Sequence, residues 1–316
     1  MKKAFEKLNL RDYGVLLGFL ALCIAISIAT PSFLGKQNIL NLLRQSSIIG
    51  IISAGMTFVI ISGNFDISVG AVAALAGAIT MKFATGGTNL FASMLLGVAI
   101  CAVIGLINGI VVAKINVPSL IATMAMVTIV RGLLLMLTGG YPITENIPIL
   151  DYIGNGYLFS IPIPVVIFFI VVLASFIVLN KTKFGRYVYS VGGNQEASKL
   201  NGINVDSHKV KVFIINAVLA GIAGIVLTGR LGTATAIAGE GYDMDAIASV
   251  VIGGTSVAGG SGFVLKTVIG VLLMSVINNS FNLLGIDVYF QYIFKGLIIL
   301  AAVGFDSYSK KKLASR

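Results

Sequence analysis

The stretch IIGIISAGMTFVIISG, Ile48 to Gly63, contains no charged side chain and no alternation of apolar with polar residues. It is the middle of an apolar run long enough to cross a hydrocarbon core of roughly 30 Å, and similar runs recur along the whole chain. Of the 316 residues, 57% are hydrophobic and 11% charged, with a mean hydropathy of +1.00. Soluble domains hold about 45–50% apolar and about 25% charged residues. The fold class is therefore an all-α integral membrane protein, with no soluble domain of ordinary size left over.

Ten spans are expected, near residues 13–30, 46–63, 66–83, 90–112, 119–138, 162–179, 211–229, 244–258, 266–284 and 288–305. The first follows Lys2, Lys3, Lys7 and Arg11 but has no clear small-x-small cleavage site, so it reads as a retained span rather than a leader. Lys and Arg also gather in the loop 180–211 (Lys181, Lys183, Arg186, Lys199, Lys209, Lys211) and in the tail (Lys310, Lys311, Lys312, Arg316). With ten spans these basic segments fall on one side, and the positive-inside rule makes that side, with both termini, cytoplasmic. The loop 139–161 has Glu145 and Asp151 and no Lys or Arg, which puts it outside.

The opening stretch also aligns without gaps on IINAVLAGIAGIVLTG, Ile214 to Gly229, sharing two Ile, one Ala and two Gly; an aromatic–Asp pair follows each, Phe65–Asp66 and Tyr242–Asp243. The copies lie on the second and seventh expected spans, an odd step of five. They must run in opposite directions, as in the inverted repeats of transporters. The expectation is one membrane domain, 1–316, with repeats at about 13–138 and 162–305.

The net charge of +10 lies in separated loops and tails rather than on a basic face interleaved with aromatics, so no nucleic-acid partner is expected. Cys23 and Cys101 fall inside apolar runs as two core thiols. His208 reads as a solvated loop residue. GSGFVLKT, Gly260 to Thr267, approaches a phosphate loop but has Leu265 where the second glycine belongs. HExxH, paired cysteines and GxSxG are absent as well. No catalytic, metal or cofactor residues are assigned.

Glycine pairs Gly14/Gly18 and Gly105/Gly109 have the small-xxx-small spacing of close helix contacts. IGGTSVAGGSG, Ile252 to Gly262, is too glycine-rich for one continuous helix, at about 1 kcal/mol per Gly relative to Ala. It predicts a break or re-entrant bend, satisfied by protein or by a water-filled path. Asp66, Asp243 and Asp245 stand at expected helix starts, where capping is preferred to a proton relay. Lys295, two turns into the last span, either snorkels outward, meets Asp287 or has a functional role. Polar residues in or near spans, Asn108, Thr123, Thr255, Ser256, Asn278 and Asn282, serve either as path lining or as helix–helix glue.

The loop 180–211 holds one further signal. Asn194 is a good N-cap, Glu196 sits in the first turn, and Gly202 suits the left-handed position after the last. A helix of about two turns is expected, with a small apolar face of Ala197 and Leu200 and with Ile203 just beyond. Two turns do not hold alone in water, so this face must dock, either on the protein's own loops or in a groove of a partner.

Three stretches together resemble the permease subunits of bacterial ABC importers for monosaccharides, the ribose, xylose, galactose and arabinose group. They are SGNFDISVGAV (Ser62 to Val72), FGRYVYSVGGNQEASKLNGINV (Phe184 to Val205) and YDMDAIASVVIGGTSVAGGSG (Tyr242 to Gly262). Asn64 and Phe65 depart from the Gly and Ile usual in the first. With KGLIILAAVGFD near the end, the likeness covers nearly the whole chain. It implies a ten-helix permease that pairs with a second copy or close relative, a separate cytoplasmic ATPase subunit that binds the ATP, and an extracytoplasmic sugar-binding protein. It makes the loop helix a coupling helix, with Gly193, Asn194, Glu196, Ala197, Leu200 and Gly202 contacting the ATPase. Asp66, Ser68, Asp243, Asp245, Gly253, Gly254, Thr255 and Asn278 become candidates for the translocation path or gate. The implied setting is the bacterial inner membrane and its lipid.

Overall fold

The structure, a computed structural model, describes residues 10–314. Lys2, Lys3, Lys7 and Arg316, which enter the topology argument, lie outside the described residues. Thirteen described α-helices follow one another: α1 Leu10–Ala29, α2 Lys36–Ile61, α3 Val69–Thr85, α4 Leu90–Ala113, α5 Ser119–Thr138, α6 Pro148–Asn155, α7 Ile163–Lys181, α8 Lys183–Gly193, α9 Gln195–Leu200, α10 Val205–Leu231, α11 Tyr242–Ile252, α12 Val264–Leu283 and α13 Val288–Ala314. Two short antiparallel ribbons pair Ile143–Thr144 with Thr233–Ala234 and Tyr157–Leu158 with Ile161–Pro162.

Six helices, α2, α4, α5, α7, α10 and α12, are long and apolar enough to cross a membrane; Gly14–Ala29, Val69–Thr85 and Val288–Ala301 are shorter apolar stretches. Buried and outward-facing helices differ as a lipid environment requires. Almost every residue of α2 from Ser46 to Ile61 is buried, whereas α4, α5 and α7 turn Phe91, Met136 and Phe169 outward from the bundle. An outer surface this apolar fits lipid rather than water. The chain is a multi-pass membrane protein.

At the centre, α2 and α10, the two helices of the aligned stretches, cross so closely that a Cβ on Gly55 would stand 2.6 Å from Asn216 Oδ1. The helices that follow them exchange partners: α3 packs on α10, and α11 packs on α2. The segment 232–241 dips inward before α11, and at Gly239 a Cβ would lie 2.7 Å from the Gly70 carbonyl oxygen. The starts of α3 and α11 therefore face each other, backbone to backbone.

Several expectations change. The span expected at 244–258 is the 11-residue helix α11, about 16 Å long and half a hydrocarbon core; the glycines after Ile252 end it. The span expected from residue 46 starts at Lys36. Its first turns are largely exposed, but their polar side chains find partners the sequence does not announce: Arg44 Nη2 donates to the Asn155 carbonyl at 3.0 Å, and the Asn38 and Asn279 amides bond each other at 3.0 and 2.8 Å. Gly105 and Gly109 pack on Phe213 and Val210 of α10 as their spacing predicts, but Gly14 and Gly18 have no neighbour where a Cβ would stand. Cys101 is buried and Cys23 half-buried, both free. His208 is half-buried in the first turn of α10 rather than in a loop, and it stacks on Phe184 and meets the Tyr187 ring edge-on.

Candidate functional site

The segment between α7 and α10 is almost wholly helical. Thr182 caps α8, its hydroxyl accepting from Gly185 N at 3.1 Å, and Val188 and Val191 bury the inner face of α8. Asn194 caps α9, its Oδ1 accepting from Ala197 N at 2.9 Å, and Gly202 takes φ +76°. The inward face of α9 is Ser198, whose hydroxyl lies 2.9 Å from that of Ser190; Lys209 Nζ donates to Gln195 Oε1 at 2.9 Å. Gly193, Asn194, Glu196, Ala197, Leu200 and Gly202 are all exposed. Leu200, at 90% exposure, is turned away from the chain. The face expected to dock does not dock on the protein's own loops.

Beneath α9 lies a junction of bare backbone. Gly260 N donates to the Ile61 carbonyl at 2.8 Å, which ties the glycine segment 253–263 to the end of α2. Gly259 has φ +83°, and a Cβ there would lie 2.9 Å from both Gly63 Cα and the Gly192 carbonyl oxygen. Tyr189 Oη donates to the Gly262 carbonyl at 2.8 Å, and burial pushes its phenol pKa up, so the hydroxyl keeps the proton it donates. The predicted break is present. Gly253, however, packs on α12 with Thr267 Cα 2.8 Å from where a Cβ would stand, and Thr255 and Ser256 are buried. In this structure they form part of the junction.

Most of the other path candidates fall into two buried clusters. In the first, Asp66 Oδ1 accepts from Ser68 N at 2.9 Å and Ser68 Oγ at 2.5 Å, and Oδ2 accepts from Asn216 Nδ2 at 2.9 Å. Asn108 Nδ2 donates to Ser68 Oγ at 3.1 Å. The extended backbone beside it is satisfied from α5: Phe65 N donates to Ser119 Oγ and Ile67 N to Thr123 Oγ1, at 3.1 and 3.2 Å. Asp66 is thus no cap of α3, which starts at Val69 after Ser68. It fastens the connection after α2 to α10, and Asn108 and Thr123 tie that connection to α4 and α5.

In the second cluster, Asp245 Oδ2 accepts from Lys295 Nζ and from Asn278 Nδ2, both at 3.1 Å. Asp245 is buried and Lys295 half-buried. Lys295 therefore neither snorkels outward nor meets Asp287, which instead accepts from Tyr289 N at 2.9 Å. Asp245, Asn278 and Lys295 join α11, α12 and α13. Asp243 lies in the first turn of α11, and Asn282 Oδ1 accepts from Gln291 Nε2 at 3.2 Å. A cavity of about 330 Å³ opens between α11 and α13, with Lys295 in its wall. Gly254 meets no neighbour where a Cβ would stand. Sequence reading missed Asn216 and the Asp245–Lys295 pair. Asn216 was legible as the only amide in the second aligned stretch; the pair, fifty residues apart, carried no local signal. Among the described residues no group of three or more His, Cys, Asp or Glu is placed to hold a metal ion.

An apolar bundle with a buried half-length helix, a backbone junction and one short helix left exposed fits the class of multi-pass membrane permeases. The family model for branched-chain amino acid transport system / permease component matches residues 38–303, and the chain belongs to that family. It is 44% identical over 303 residues to the ribose import permease protein RbsC of Haemophilus influenzae, covering 93% of this chain and 94% of that protein. It is 43% identical over 300 residues to RbsC of Bacillus subtilis, covering 94% and 93%. The xylose transport system permease protein XylH of H. influenzae is 33% identical over 371 residues, covering 98% and 99%. No solved structure matches the chain.

Proposed function

We propose that the protein is the membrane permease of an ATP-driven importer that carries a monosaccharide, of which ribose is the first candidate, across the bacterial inner membrane. It has no catalytic site of its own in this reading. A separate ATPase subunit binds and hydrolyses ATP, a second permease copy or close relative completes the path, and an extracytoplasmic binding protein delivers the sugar. Its ten crossings count α11 and its re-entrant flanks as the eighth, in two inverted halves, with both termini cytoplasmic.

The observation that carries this reading is α9. A six-residue helix cannot persist alone in water, yet it holds Ala197 and Leu200 outward over a junction leading to α11. That is the form of a helix that receives force from a partner. Movement of α8 and α9 is passed through Gly192, Gly259 and Gly260 to the half-helix and so to the path.

A second solute class, branched-chain amino acids, is favoured by the description of the family model. Co-purification of the permease with its ATPase, reconstitution in vesicles and uptake assays with ribose, xylose, arabinose and leucine decide between them. Uptake of a pentose that requires both ATP and the binding protein is expected. Uptake driven by an ion gradient without ATP would overturn the reading, and Asp66, buried with only neutral donors, would then be the group to test.

A further inference from the structure

We infer that the cavity between α11 and α13 is a station for a neutral, pentose-sized polyhydroxyl solute on the translocation path; this rests on the permease reading above and deepens it. The cavity of about 330 Å³ is walled by Glu240, Gln291, Tyr292 and Lys295, with Met244 and Ile299 as its apolar part. Small-molecule sites are of this size, mostly apolar with a few convergent polar groups. The four polar residues supply an acceptor, an amide and a hydroxyl that each donate and accept, and a donor, which is the set that hydroxyl groups require. The apolar residues suit the C–H face of a sugar ring.

The position of these groups argues that the cavity holds water. Lys295 lies about 10 Å along α13 from Val288, at 1.5 Å per residue. A charged group at that depth is tolerated where it is paired or faces a water-filled space, and Lys295 does both. The charge balance selects the solute. Lys295 is the only cation in the cavity wall among the described residues, and it is already bound to Asp245 at 3.1 Å. Glu240 adds a negative charge that Arg131 of α5 faces, its guanidinium already donating to the Ala236 and Ala238 carbonyls, and Asp243 offsets the positive end of α11. A solute carboxylate or phosphate finds no free cation here, so a neutral sugar fits and an amino acid or sugar phosphate does not. None of the backbone junction takes part.

Gly296 gives the test. It lines the cavity, and a Cβ there meets nothing within 4 Å, so Gly296→Phe starts a bulky side chain from the cavity wall with no clash at its Cβ. In the complete importer in vesicles, Gly296→Phe is expected to lower D-ribose uptake about tenfold or more, the equivalent of roughly 1.4 kcal/mol. ATP hydrolysis stimulated by the loaded binding protein should persist. Gly132→Phe, equally open and outside the cavity, should leave uptake unchanged. A second measurement does not need transport. In a chain with Cys23→Ser and Cys101→Ala, Tyr292→Cys should react with a charged thiol reagent faster than Met136→Cys on the apolar outer surface, and excess D-ribose but not leucine should slow it. Normal uptake by Gly296→Phe, labelling no faster than at Met136→Cys, or protection by leucine instead of ribose would each overturn the inference. Wild-type vesicles that take up no sugar with ATP, while ribose still protects Tyr292→Cys, would count against the permease reading and for the site.

Discussion

The Tyr189 hydroxyl in α8 donates a 2.8 Å hydrogen bond to the carbonyl of Gly262, 73 residues further along the chain. This bond pins the support of α9 to the glycine segment that leads back to α11. Tyr189→Phe removes it at a cost of about 1 kcal/mol, too little to unfold the bundle. The expected result is a permease that assembles and supports ATP hydrolysis but moves less solute per ATP, read as the ratio of uptake to phosphate released.

Glu196→Lys combined with Leu200→Asp changes the exposed face of α9 and leaves Ser198 and its inward contacts in place. Insertion into the membrane should be normal, while co-purification of the ATPase falls sharply. Normal assembly and transport by this double variant would remove the docking role of α9.

The Asp245–Lys295 pair should behave as a unit. Lys295→Met strands a buried carboxylate, and breaking a buried pair in this way costs about 3–5 kcal/mol. Adding Asp245→Asn to Lys295→Met removes the stranded charge and should restore part of the loss. Thermal unfolding of the purified protein in detergent, over the two single variants and the double, measures the coupling; additive effects would mean that the two side chains do not interact.

Gly259→Ala places a methyl between Gly63 and Gly192 at a residue already at φ +83°. Overpacking and a left-handed alanine each cost about 1–3 kcal/mol. The substitution should lower thermal stability and abolish transport, whereas Gly193→Ala, exposed and with only Gly260 Cα near a Cβ at 3.9 Å, should be tolerated.

Short-range features were the legible ones. Asn194 and Gly202 bound α9 because capping and the left-handed turn are decided within a few residues, and the glycines after Ile252 break the helix for the same local reason. Gly105 and Gly109 meet a helix because close packing needs small residues wherever the partner lies. Features that depend on a distant partner were not legible. Hydropathy stopped α2 at residue 46 because Asn38 and Arg44 look like surface residues until Asn279 and Asn155 are beside them. Asp66 and Asp245 resemble caps in sequence, and only the arrival of Asn216, Asn278 and Lys295 makes them internal fasteners. The length of α11 escaped because an apolar run does not show where its backbone turns.

The junction of Ile61, Gly192, Gly259, Gly260 and Gly262 is built from amides, carbonyls and one phenol that keeps its proton. None of these groups carries charge near neutral pH, so ionic strength and modest changes of pH act on it weakly. On the coupling role proposed for α9, salt weakens the grip on the Glu196 and Lys199 surface, yet the stroke passed inward after each engagement should keep its length.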